Sequence, residues 1–91
     1  MDRETSRSVF YDLFSEEEAA ELEIRAALLR GLQHWLAESG HKQVEAAEVL
    51  GVTQARVSDI KRGKINSFSL GILIKLAVRA GLHPRLDLNA A

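Results

Sequence analysis

The sequence predicts an all-α domain of four to five helices. Three observations point to this fold class. A helix-capping pattern at Ser15 precedes a long amphipathic run, two short apolar-patterned segments meet at Gly51, and glycines mark the ends of the segments. A chain of 91 residues forms a single domain. Because it buries only about 60–65% of its extended surface, we expect it to gain stability from a partner.

The first helix is predicted over residues 16–38. Ser15 and Glu18 have the spacing of a capping box, and Gly40 ends the helix. Its surface carries two apolar stripes, of which one is enough to pack a small domain. The second either extends the core or contacts another chain, and both interpretations remain open. The first stripe comprises Ile24, Leu28, Leu32 and Trp35, and the second comprises Leu22, Leu29 and Leu36.

Residues 43–62 predict two short helices joined by a tight turn, which is the helix-turn-helix pattern. The small side chain of Ala47 allows the helices to approach, and Gly51 takes a positive φ at the turn without a Cβ penalty. Thr53 then caps the second helix. Apolar side chains fall at five positions of the motif: Ala46, Leu50, Val52, Val57 and Ile60.

The second helix of the motif, over residues 54–62, has a polar outer face. Val57 and Ile60 point into a core, whereas the other side carries no large apolar residue. Such a helix fits the major groove of B-DNA and can contact base edges. The competing interpretation is an ordinary helical hairpin with a solvated face. The candidate base-contacting residues are Gln54, Ala55, Arg56, Ser58, Asp59 and Arg62.

Each of these side chains suits a particular contact. Gln54 suits adenine or phosphate, Arg56 and Arg62 suit guanine or phosphate, and Asp59 suits the cytosine amino group. Asp59 has a structural alternative, because it lies three residues from both arginines and can hold them in place. Phosphate contacts are expected from the backbone near Thr53 and from the basic run Lys61, Arg62 and Lys64. That run could instead only complement a helix C-terminus.

A further helix is predicted over residues 70–80, capped by Ser67 or Ser69 and ended by Gly81. Residues 82–91 form a C-terminal tail in which Leu86 and Leu88 alternate with polar residues. This alternation predicts a short strand. The strand needs a partner, either the segment around residue 9 or the same strand of a second subunit.

Residues 1–14 precede the domain of residues 15–81 and are predicted to be a mobile or docking segment. Its second half is apolar and aromatic. Two interpretations are open: the segment folds back over the domain, or it docks another protein. The candidate partner-binding residues are Phe10, Tyr11 and Phe14, together with Leu22, Leu29 and Leu36 of the first helix.

The net charge of −1 hides an uneven distribution. Residues 1–24 carry eight acidic and two basic residues, whereas residues 25–91 carry ten basic and five acidic residues. Because local potential steers a ligand, the basic part can still attract nucleic acid.

Composition also excludes several classes. The chain has no cysteine, so disulfides and thiolate metal sites are excluded. It has no apolar run of membrane-spanning length and no signal-peptide pattern. No serine lies in a nucleophile-elbow context, and neither a phosphate loop nor metal-ligand spacing is present. We therefore expect a soluble cytoplasmic protein, associated with the nucleoid, that is not an enzyme and needs no cofactor.

Residues 40–63 read GHKQVEAAEVLGVTQARVSDIKRG. This run resembles the helix-turn-helix of the Xre family, to which the lambda-type phage repressors belong. The resemblance implies a lambda-repressor-like fold and a phosphate contact from Gln43 at the start of the first motif helix. His41 stands where leucine is usual, and Lys42 replaces the usual capping hydroxyl, which affects the start of that helix.

A wider resemblance covers most of the chain. An aromatic N-terminal stretch is followed by the acidic helix EEAAELEIRAALLR and then by the motif ending RVSDIKRGKINSFSL. This order is similar to the small Xre-type antitoxins of HigA kind. The resemblance implies a homodimer that binds operator DNA to repress its own operon and that neutralises an RNA-cleaving toxin of RelE-like fold. The alternative is a stand-alone Xre- or Cro-type regulator without a toxin partner.

Overall fold

The computed structural model describes residues 15–89, which contain four α-helices and one short 3-10 helix. The helices are α1 (Glu16–Ser39), α2 (Gln43–Leu50), α3 (Gln54–Lys61) and α4 (Leu70–Arg79), with the 3-10 turn at Ile65–Ser67 between α3 and α4. The predicted all-α fold is confirmed. The N-terminal candidates Phe10, Tyr11 and Phe14 lie outside the described residues.

Helix α1 begins and ends at the predicted signals. The hydroxyl of Ser15 accepts from the backbone N–H of Glu18 at 3.1 Å, and the Glu18 carboxylate accepts from the backbone N–H of Ser15 at 3.3 Å. This reciprocal pair satisfies two backbone donors that the first turn leaves unpaired. At the other end, Gly40 adopts a left-handed φ of 71° and stops the helix one residue beyond the prediction.

The core lies where α1 crosses α3 and α4. From α1 it receives one arc of leucines, Leu29, Leu32 and Leu36, which are at most 8% exposed. This arc combines Leu32 of the first predicted stripe with Leu29 and Leu36 of the second, so these two members of the second stripe extend the core. Leu29 and Leu36 are therefore unavailable to a partner on the folded surface, whereas Leu22 stays partly exposed. The other buried apolar residues are Ala19, Ala46, Ala47, Leu50, Val57, Ile60, Phe68, Leu73, Leu76 and Ala77.

The turn between α2 and α3 forms as predicted. Gly51 has a left-handed φ of 67°. The N–H of Val52 donates to the Ala47 carbonyl at 3.0 Å, and the Thr53 hydroxyl accepts from the N–H of Arg56 at 3.2 Å. Ala47 is 7% exposed, which shows that its small side chain sits inside the packing of the motif. These local bonds set α3 at a defined angle to α2.

The two departures from the Xre pattern have local compensations. The rings of His41 and Trp35 lie 5.6 Å apart and tilted, so the imidazole packs where leucine is usual. Lys42 provides no side-chain cap to α2. Instead, its backbone N–H donates to the Glu45 carboxylate at 2.7 Å, which supplies half of a capping box.

Helix α4 is capped by Ser69, whose hydroxyl accepts from the N–H of Ile72 at 3.2 Å. The tail after Gly81 has no regular secondary structure over residues 82–89. The predicted strand is thus wrong for the single chain. Leu86 and Leu88 are 64% and 81% exposed, and residues 15–89 contain no strand to pair with them. An isolated strand leaves its backbone groups to water and is not stable.

None of the helices among residues 15–89 combines the length and the apolar character that a bilayer span requires. The same residues hold no group of three metal-ligating side chains.

Candidate nucleic-acid interface

Helix α3 is fixed to the domain by its inner side and presents its outer side to solvent. Val57 and Ile60 are fully buried against the core. Gln54 and Ala55, in the first turn, are exposed. A helix anchored in this way can enter a groove with its exposed first turn leading.

Arg62 and Ser58 form a pair on the outer side of α3. The guanidinium donates to the Ser58 hydroxyl from Nε at 3.2 Å and from Nη2 at 2.8 Å. Two bonds to one oxygen hold the planar group in one orientation and leave the rest of its donors directed at solvent. Arg62 is therefore preorganised for a bidentate acceptor such as guanine or phosphate.

Arg56 points back onto the domain. Its guanidinium carbon lies 4.5 Å from the centroid of the Phe68 ring, and Nη1 donates to the Ser67 carbonyl at 2.9 Å. Asp59 lies 4.0 Å from both Arg56 and Lys64, at the limit of an ion pair. Ser58, and not Asp59, orients Arg62. Base contact by Asp59 stays a prediction. Base contact by Arg56 stays a prediction that requires the side chain to leave Phe68.

The candidate phosphate contacts surround the start and the end of α3. Gln43, in the first turn of α2, donates from Nε2 to the Gln54 carbonyl at 2.9 Å, so the N-termini of α2 and α3 lie side by side. Helix N-termini favour phosphate because their backbone N–H groups are unpaired. Thr53 lies at this end, and the exposed Lys61 and Lys64 lie at the other.

Comparison with known families agrees with this geometry. Residues 9–89 match a family model described as a helix-turn-helix domain. The chain belongs to the helix-turn-helix domain family. Helix-turn-helix domains bind DNA with the second helix of the motif. The family match therefore indicates a DNA-binding regulator. No curated protein matches the chain.

Three polar side chains that tie the helix-turn-helix to its scaffold were not predicted. Gln33 of α1 donates from Nε2 to the Ile60 carbonyl at 2.9 Å, at the C-terminal end of α3. Arg25 donates to the carbonyls of Ile65 and Phe68, each at 3.3 Å. Arg79 of α4 donates to the Leu50 carbonyl at 3.0 Å, at the end of α2.

These side chains add donors to carbonyls at helix ends and at the 3-10 turn. The Ile60 and Ile65 carbonyls also accept from the backbone N–H groups of Gly63 and Phe68, at 3.0 and 3.2 Å. One signal was present in the sequence. Arg25 lies four residues before Leu29 and seven before Leu32, on the same arc that faces the core, where a cation needs a partner. Gln33 and Arg79 gave no such signal.

We expect Gln33→Ala to lower the free energy of unfolding by about 1 kcal/mol, because the Ile60 carbonyl loses its side-chain donor. Urea denaturation followed by circular dichroism measures the change. Glu38→Ala, an exposed substitution on the same helix, is the matched control and should change stability by less than about 0.5 kcal/mol. Equal effects of the two substitutions would show that the Gln33 bond contributes nothing.

Proposed function

We propose that this protein is a sequence-specific transcriptional repressor that places α3 in the major groove of an operator. The observation that carries the proposal is the division of α3 into a buried anchor and an exposed polar side. Gln54 and Ala55 lie at the leading end, and the oriented Arg62–Ser58 pair lies further along. In this proposal Gln54 bonds adenine or phosphate, Ala55 touches a thymine methyl, and Arg62 bonds guanine.

The repressor acts as a homodimer in this proposal. Two copies of α3 enter successive major grooves, so the half-sites of the operator are about 34 Å apart and related by two-fold symmetry. A domain of 91 residues also has a small core and gains stability from association. The Xre-like motif supports this mode of binding. We propose a cytoplasmic, nucleoid-associated location and no cofactor or catalytic role.

The test is a titration of the purified protein against the DNA upstream of its own gene, at two salt concentrations. We expect one dimer per two-fold symmetric site, and binding that weakens as salt rises because phosphate contacts release counterions. A scrambled duplex of the same length is the control. Equal affinity for both duplexes would contradict autoregulation through this DNA.

We further propose that the protein is an antitoxin that neutralises an RNA-cleaving toxin of RelE or HigB kind. The exposed acidic start of α1 supports this, because a protein that binds RNA is basic and complements such a surface. The acidic residues are Glu16, Glu17, Glu18, Glu21 and Glu23, all of them exposed. The resemblance to HigA-type antitoxins points to the same partner. The alternative is a stand-alone regulator.

Two variants separate the DNA and toxin functions. Deleting residues 1–14 should abolish protection of cells that express the toxin and leave operator binding unchanged, because that segment precedes the described domain. Arg62→Ala should do the opposite. Growth rescue and a gel-shift assay give the two readouts. Full protection by the deletion variant would contradict a docking role for the segment. An unaltered host phenotype after deleting the gene would favour the stand-alone regulator.

A further inference from the structure

An open apolar groove of about 640 Å³ runs between α1, α4 and the C-terminal tail. Ile24 and Leu28 form the α1 side, Ile74 the α4 side, and Leu86 the tail side. Ile74 is 41% exposed and Leu86 is 64% exposed. The groove lies on neither the outer face of α3 nor the residues that flank it, so DNA binding does not account for it. An exposed apolar surface of this kind marks a binding site for another segment or protein.

We propose that the occupant is this chain's own N-terminal segment, residues 9–14. Five of its six residues are apolar, and three of them are aromatic: Phe10, Tyr11 and Phe14. The segment ends at Ser15, the N-cap of α1. Burial of this segment in the groove lowers its free energy relative to exposure to water, because aromatic side chains remove the largest apolar areas from water.

The segment also has the right length. The groove residues of α1 run from Glu23 to Gly31. At 1.5 Å per residue they lie about 12–24 Å from Ser15 along the helix. Phe10 lies five residues before Ser15. Five extended residues reach at most about 16–18 Å, so a chain that turns back at Ser15 can bring Phe10 level with Ile24, which lies about 14 Å along α1.

The α1 side of the groove is open at its far end, where a Cβ atom built on Gly31 meets no atom of the described residues within 4 Å. Arg85 lines the groove and offers a cation to Asp12, the one charged residue of the segment. The helix-turn-helix family match starts at residue 9, so the segment is part of the unit that the family shares.

A consequence follows for partner binding. A protein that captures residues 9–14 must first displace them from the groove, so its affinity for the full chain is lower than for the isolated segment. The groove then sets how readily the segment is released. The inference concerns the free protein and does not depend on the DNA-binding proposal.

The absence of cysteine allows a direct test by disulfide formation. In the full chain, Phe10→Cys is combined with Ile74→Cys in the groove, or with Val49→Cys on α2 as the matched control. Val49 is 40% exposed, like Ile74, but does not line the groove. A second groove pair, Phe10→Cys with Leu86→Cys, repeats the test from the tail side. Circular dichroism of the reduced variants establishes that each is folded.

We expect both groove pairs to form a disulfide within one chain at least ten times faster than the control pair, in dilute protein under mild oxidation. Non-reducing electrophoresis and peptide mass analysis identify the product. Equal rates for groove and control pairs would overturn the proposal. Disulfides formed only between chains would also overturn it, and would show that the groove receives the segment of a second copy.

Discussion

Replacing Phe68 with alanine should lower the free energy of unfolding by about 3–5 kcal/mol, the largest stability effect that we expect from a single substitution in this protein. Phe68 is 2% exposed and joins the 3-10 turn to α4. Its removal leaves a cavity in the core and deprives Arg56 of the ring on which its guanidinium lies. Small domains are stable by only about 5–15 kcal/mol, so the variant should lose much of its cooperative folding.

Urea or thermal denaturation followed by circular dichroism measures this loss. Phe68→Leu keeps most of the volume and should lower stability by less than about 1.5 kcal/mol. Val78→Ala removes an apolar side chain that is 60% exposed and should change little. If Phe68→Ala and Val78→Ala had the same effect, Phe68 would not hold the turn and α4 against α3.

The second large effect concerns DNA. Arg62→Ala should weaken binding to the operator by about 1–3 kcal/mol, or about 5- to 150-fold, because a bidentate base contact is lost. The variant should keep the stability of the parent, since Arg62 is exposed and bonds only Ser58 among the described residues. Arg30→Ala, an exposed arginine of α1, removes the same charge and is the matched control.

The comparison with Arg56→Ala decides how that arginine acts. Because Arg56 bonds the Ser67 carbonyl and lies over Phe68, its removal should lower stability by about 1–2 kcal/mol. It should weaken specific binding by the folded protein less than Arg62→Ala does. A larger loss of specific affinity for Arg56→Ala would show that Arg56 leaves Phe68 and contacts bases, as the sequence alone suggested.

Local signals in the sequence were sufficient for much of the fold. The capping box of Ser15, the left-handed turn at Gly51 and the hydroxyl caps of Thr53 and Ser69 each act within a few residues. The buried side of α3 followed from the spacing of apolar residues along one helix. The structure confirms these predictions.

Features that depend on distant residues were missed or misassigned. The orientation of Arg56 depends on Phe68, which lies on another element. Gln33 and Arg79 bond carbonyls 27 and 29 residues away. Which side of α1 is buried depends on the helices that pack against it. The sequence alone was therefore equally consistent with Leu29 and Leu36 in the core and with both at a partner surface. The tail strand failed because strand formation requires a neighbour that local alternation does not reveal.

The most direct test of sequence-specific recognition by α3 is selection from a random-sequence library of DNA duplexes, with the wild-type protein and Arg62→Ala in parallel. We expect the wild type to enrich a two-fold symmetric motif whose half-sites lie about 10 base pairs apart. Arg62→Ala should relax the preference at one position of each half-site and leave the others unchanged. A wild-type protein that enriches no motif, or a variant with an unchanged preference at every position, would contradict recognition of bases by this face of α3.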